Sequence, residues 1–205
     1  LHPWEHNEVA PALAAAMQTD VPIVALHLTR PPVEIPDRKK LGMASHLDAS
    51  KGAYIIKDYD KDLDKKGVVI VRGTSSTNSV VQILDQLKEE SINVKIVSAV
   101  SWQLFKNQSK QYREAILNDQ EWADSMIITN SALRLMHNWT ANKVVESYSM
   151  SPDYDNRWRT GGSVDEIIAE SKLDGKSVID GIRKFADERS NRLELIKKYI
   201  PISRV

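Results

Sequence analysis

The chain has 205 residues, with 28 basic and 28 acidic side chains, five histidines and no cysteine. Balanced charge gives no field that would draw in nucleic acid or an anionic membrane, and the lack of cysteine excludes disulfides, thiolate nucleophiles and zinc fingers. No apolar run approaches the ~20 residues of a membrane-spanning helix, and residues 1–20 carry acids where a signal peptide needs a basic start. A cytoplasmic piece of about one domain plus a remnant is expected, with neither nucleic acid nor membrane as partner. The opening Leu-His-Pro-Trp, in mid-pattern and without Met, reads as a trimmed start.

Residues 7–18 place Val9, Leu13 and Met17 at helical spacing among alanines, which predicts a helix with one apolar stripe. Pro11 falls in its first turn, where a missing N–H costs little. Residues 22–28 form a continuous apolar run bounded by Asp20 and by Arg30-Pro31-Pro32, the pattern of a buried strand. Residues 37–52 are charged and small-residue-rich without regular period, and are expected to link a remnant, 1–36, to a domain, 53–205. Strand-like and helical runs then alternate over 53–58, 68–72, 75–90, 94–97, 110–118, 125–129, 131–138 and 144–149. Such alternation predicts an α/β sandwich with a mainly parallel sheet and helices on both faces. Only about ten polar residues separate 53–58 from 68–72, too few for a parallel crossover through a helix, so the first strand is expected antiparallel and at the sheet edge. Towards the C-terminus, Ser163 and Glu166 have capping-box spacing ahead of a helix over 163–172. A second helix from Ser177 carries Val178, Ile182, Phe185, Arg189, Leu193 and Ile196 at 3.6-residue spacing.

Arg30 is the leading candidate for chemistry. A guanidinium at the carboxyl end of a buried strand, in a turn stiffened by two prolines, is placed to hold a phosphate by two parallel hydrogen bonds. The plainer reading is an arginine that ties the strand end to the linker. The turn Gly73 to Thr77 follows a strand and opens a helix, so its N–H groups can hold an anion, yet it lacks the lysine of a P-loop and the glycines of a dinucleotide fingerprint. A turn capped by its own Ser or Thr is the expectation there. The histidines show no metal-ligand spacing; His2 and His6 read as a solvated pair at a frayed start, and His27 as filling a polar spot or assisting a phosphate beside Arg30. No Ser-His-Asp order or G-x-S-x-G motif is present, so no catalytic residue is assigned. The loop 151–162, with Tyr154, Arg157, Trp158 and Arg159, has the composition of a contact surface, against the alternative that Trp158 packs back on its own sheet.

Two phrases carry a family resemblance. SWQLFKNQSKQYREAIL, from Ser101 to Leu117, follows a strand and holds Trp102, Phe105, Gln108, Tyr112 and Arg113 at the places of an aromatic-plus-Phe turn and a Gln-x-x-x-Tyr-Arg helix. DVPIVALHLTRPP, from Asp20 to Pro32, precedes it in the right order. Together they resemble the end of the pyrimidine-binding domain and the C-terminal, third domain of transketolases. The resemblance implies a three-layer α/β/α sandwich around a mixed five-stranded, mostly parallel sheet with one antiparallel edge strand. It implies an enzyme moving a two-carbon ketol unit between a ketose phosphate and an aldose phosphate, with thiamine diphosphate and a divalent cation, acting as a homodimer. Arg30 then matches the Ser/Thr-Arg turn that binds the substrate phosphate. The cofactor site lies outside this stretch, so the chain alone is expected to bind no cofactor and to be inactive. A free-standing interaction or regulatory module of the same fold, and a ligand-binding domain using the Gly73 to Thr77 turn, stay open as alternatives.

Overall fold

The structure is a computed structural model that describes residues 1–29, 32–159 and 161–199. Arg30 and Pro31 lie outside the described residues. A short 3-10 turn, His6–Glu8, leads into α1 (Val9–Met17), and a second, His46–Lys51, leads into β1 (Ala53–Lys57). Then follow β2 (Val68–Arg72), α2 (Thr74–Gln82), α3 (Leu84–Glu89) and β3 (Lys95–Ala99). Next come α4 (Trp102–Lys106), α5 (Lys110–Ile116), α6 (Asp119–Ala123) and β4 (Ser125–Thr129). A 3-10 turn, Leu133–Trp139, precedes α7 (Lys143–Tyr148), and α8 (Val164–Glu170), α9 (Gly175–Asp187) and α10 (Arg189–Tyr199) complete the described chain.

The sheet order is β1-β3-β2-β4, with β2 parallel to both β3 and β4 and β1 antiparallel to β3 at the edge. The antiparallel edge strand is as expected. β2, β3 and β4 are buried at every position, as strands covered on both faces must be. Alternation divides their side chains. Val69, Val71, Ile96 and Met126 join α2, α3 and α9 in one core, and Val68, Ile70, Val97 and Ile127 join Phe105, Ile116 and Trp139 in the other. From α4 to α9 the helices start where side chains satisfy first-turn N–H groups: Ser101, Ser109, Asn118, Asn142, Ser163 and Asp174 cap α4, α5, α6, α7, α8 and α9, and Asn118 and Ser163 do so within full capping boxes.

Several expectations are corrected. The sheet has four strands, not five: residues 144–148 belong to α7, capped by Asn142, and the fifth position shrinks to a parallel bridge between Ile128 and Met150. The run 22–28 is neither strand nor buried; Ile23 is 84% exposed, because no described strand lies alongside to take its backbone bonds. Among the described residues its backbone hydrogen bonds go to Leu1, through His27 N to Leu1 O at 3.0 Å and Leu1 N to Ala25 O at 2.7 Å. On α1 the alanines Ala12 and Ala16 face inward while Met17 is exposed. Residues 75–90 break at Ile83 into α2 and α3, and the helix expected from Ser177 breaks at Glu188 into α9 and α10. Val178, Ile182 and Phe185 are buried as expected, but past the break Arg192, not Leu193, is fully buried.

Two buried polar clusters anchor the ends of the chain to the sheet. Glu8 accepts from Tyr54 Oη and from Arg38, which also reaches Glu5 at 2.9 Å and lies over the Trp4 and Tyr54 rings. Trp4 Nε1 donates to Tyr54 Oη at 2.7 Å. The stretch that joins α1 to β1 is therefore tied down at Arg38. At the amino end of the parallel strands, Asp124 pairs with Arg192 at 2.7 Å and Arg189 at 2.8 Å, and Arg192 also donates to the Lys66 and Phe185 carbonyls.

Candidate functional site

Ligands of open parallel sheets bind beyond the carboxyl ends of the strands, and here that end is built by Arg72 and Gly73 after β2, Asn130 after β4 and Ser101 after β3. Gly73 has φ 93°, a conformation that favours glycine, and an added Cβ would stand 1.8 Å from Asn130 Oδ1. The tight turn is therefore a backbone requirement. No Ser or Thr side chain caps α2, contrary to expectation; its first turn starts from Gly73, and the Ser76 and Thr77 hydroxyls are buried without partners. Gly73, at the cap position, has no side chain to accept from the first turn, and both hydroxyls are buried.

Arg72 was not singled out by sequence reasoning. It lies at the end of β2 on the face of Val68 and Ile70, 7% exposed, and its Nη1 donates to Leu135 O at 3.1 Å. Nε and Nη2 are buried and meet no acceptor. The buried charged residues are Glu5, Glu8, Arg72, Lys95, Asp124 and Arg192, and each of them except Arg72 has an ion partner among the described residues. Burial with no opposing charge pulls the Arg72 guanidinium down to about 10. A signal was present: an arginine closing the run Val-Val-Ile-Val in a strand expected to be buried on both faces has no route to water except along the sheet end.

Arg72 forms part of the wall of a cleft of about 410 Å³, together with Trp102, Gln103, Asn107, His137 and Trp139. Its aromatic side is the cluster the Ser101 to Leu117 motif builds: Trp102 meets Trp139 edge-on at 5.1 Å and Trp122 at 6.0 Å, and Phe105 stacks on Trp139 at 5.5 Å. Tyr112 Oη donates to Ala53 O at 2.9 Å, tying α5 to β1. Trp102, Phe105 and Tyr112 thus act as packing residues, as expected. Gly52, at φ 84°, lets the chain pass so close to α4 that a Cβ would meet Phe105 N at 2.3 Å.

His2 does not pair with His6; its ring stacks on that of His27 at 4.3 Å, because the backbone bonds between Leu1 and residues 25–27 lay the two segments side by side. Burial, then the charge of Arg72, then His27 hold His2 down to about 3. In the loop after Met150, Arg159 bonds Asp155 and lies over Tyr154, while Trp158 is 97% exposed rather than packed on the sheet. Among the described residues no group of three or more His, Cys, Asp or Glu could hold a metal ion, and no helix is long and apolar enough to cross a membrane.

Residues 52–151 match the family model of the transketolase-like C-terminal domain. Transketolase 7 of Craterostigma plantagineum is 36% identical over 121 residues, covering 57% of this chain and 17% of that protein. The chloroplastic transketolase of Zea mays is 34% identical over 124 residues, 57% of this chain and 16% of that protein. Among solved structures, a Pichia stipitis transketolase in complex with sedoheptulose 7-phosphate superposes with a TM-score of 0.64 at 20% identity, covering 93% of this chain and 25% of that one. That likeness speaks to the fold alone. The chain therefore corresponds to a minor part of its relatives' length, and its residues 52–151 are similar to the transketolase C-terminal domain.

Proposed function

We propose that this chain is the C-terminal part of a transketolase, an enzyme that passes a two-carbon ketol unit from a ketose phosphate to an aldose phosphate. The match of residues 52–151 to the transketolase C-terminal family carries this reading. The sugar phosphate in a structural neighbour supports the substrate class. On this reading residues 1–36 end a pyrimidine-binding domain, 37–52 connect, and the rest is a third domain that supports a homodimer. Thiamine diphosphate supplies the carbanion chemistry in such enzymes. The cofactor and its divalent cation are proposed to be held by other parts of the enzyme, because the resemblance places the cofactor site outside this stretch, and the chain alone is proposed to be inactive.

Arg30 is the residue proposed to hold the substrate phosphate. It follows an exposed extended segment that a longer polypeptide would cover. Replacing Arg30 by Ala in the full-length protein is expected to raise the KM for phosphorylated sugars with little change for unphosphorylated ones. Equal loss on both would contradict the assignment. A full-length protein without ketol transfer would contradict the wider reading. A cytoplasmic site is retained as the proposal, although several relatives are named chloroplastic. A Ser- and Arg-rich, acid-poor leader upstream would replace it with a plastid one.

A further inference from the structure

Arg72 is the buried charge for which the described fold provides no counter-charge. Buried cations are ordinarily paired, because the transfer of a charge out of water is recovered only by an opposite charge and hydrogen bonds. Its guanidinium offers five donors and uses one, towards Leu135 O. The cleft it borders has the volume typical of small-molecule sites, about 410 Å³, and is lined by Trp102, Gln103 and Asn107 together with Leu1, His2 and residues of the exposed segment 21–25. Its position, beyond the carboxyl end of a parallel strand, is where such folds place ligands.

We propose that the cleft over Arg72 binds an organic anion, a carboxylate or phosphate group carried on a flat apolar body, with Arg72 as its counter-charge. The oxyanion supplies acceptors to Nε and Nη2, and the body lies against the half-buried Trp102. Reaching those two nitrogens takes a small outward shift of the 3-10 turn Leu133–Trp139, whose Leu135 is 57% exposed and holds the guanidinium through a single carbonyl. The proposal does not depend on the role of Arg30, and its test involves no ketol transfer.

The 205-residue chain is titrated with phenyl phosphate, benzoate, phenol and inorganic phosphate, following tryptophan fluorescence, and phenyl phosphate binding is counted independently by equilibrium dialysis. Saturable binding of phenyl phosphate or benzoate at one site per chain is expected, with phenol inert and inorganic phosphate weaker. Arg72→Met is expected to bind about tenfold more weakly or not at all, the loss of a charge-assisted hydrogen-bond pair. Equal binding by Arg72→Met and the native chain, or no saturable binding in dialysis of the native chain, would overturn the proposal. Inorganic phosphate binding as tightly as phenyl phosphate would overturn the assigned ligand class.

Discussion

Arg192 and Arg72 are both buried arginines, at opposite ends of one sheet. At the amino end, Arg192 is fully buried, pairs with Asp124 and donates to the Lys66 carbonyl, and its guanidinium carbon lies 3.5 Å from the Phe185 ring centre. At the carboxyl end, Arg72 has one backbone acceptor and, among the described residues, no acid partner. The two ends serve different purposes: one closes the fold by binding α10 to the sheet, and the other keeps an unneutralised charge where parallel sheets bind ligands. The N-terminal clasp around Arg38 belongs with the first kind, since two carboxylates face its guanidinium.

The comparison can be broken at its closed end first. Asp124→Asn leaves Arg192 buried without its partner and is expected to cost about 3–5 kcal/mol in urea unfolding; a loss below ~1 kcal/mol would mean the amino end is no more neutralised than the other. At the clasp, Tyr54→Phe removes the acceptor of Trp4 and the donor to Glu8 and is expected to cost about 1–3 kcal/mol. A smaller effect concerns pH. His2 stays neutral in the fold down to about 3 but takes a proton near 6.5 when unfolded, so its contribution is present above pH 6.5 and is lost as pH falls from 6.5 towards 3. His2→Asn is expected to flatten the slope of urea midpoint against pH within that window, and an unchanged slope would show that burial and its neighbours do not hold His2 neutral. The smallest effect is expected at Trp158, 97% exposed, where Trp158→Ser shifts stability by no more than ~0.5 kcal/mol.

Much of the fold is legible from pattern. Continuous apolar runs become the buried strands β2, β3 and β4, the short polar link before Val68 places β1 antiparallel at the edge, and Ser163 with Glu166 forms the cap its spacing implies. What pattern misses is set by partners distant in sequence. Residues 22–28 carry a strand's composition but have no neighbouring strand, and 144–149 are apolar enough for a strand but begin after Asn142, whose side chain caps two N–H groups of a helix. The site is less legible. Arg30 carries its signal in the turn Arg-Pro-Pro, whereas Arg72 is one letter at the end of a strand, and its significance depends on the absence of an acid that only tertiary contacts reveal. Asp124 and Arg192 are 68 residues apart, beyond any local spacing rule.

The most direct measurement is the urea midpoint of Arg72→Met in buffer free of phosphate and carboxylates. A buried charge without a partner costs stability, so an apolar side chain of similar reach is predicted to raise the midpoint, by about 1 kcal/mol or more of unfolding free energy. A midpoint below that of the native chain would show that Arg72 already has what it needs within the fold, and would contradict the account.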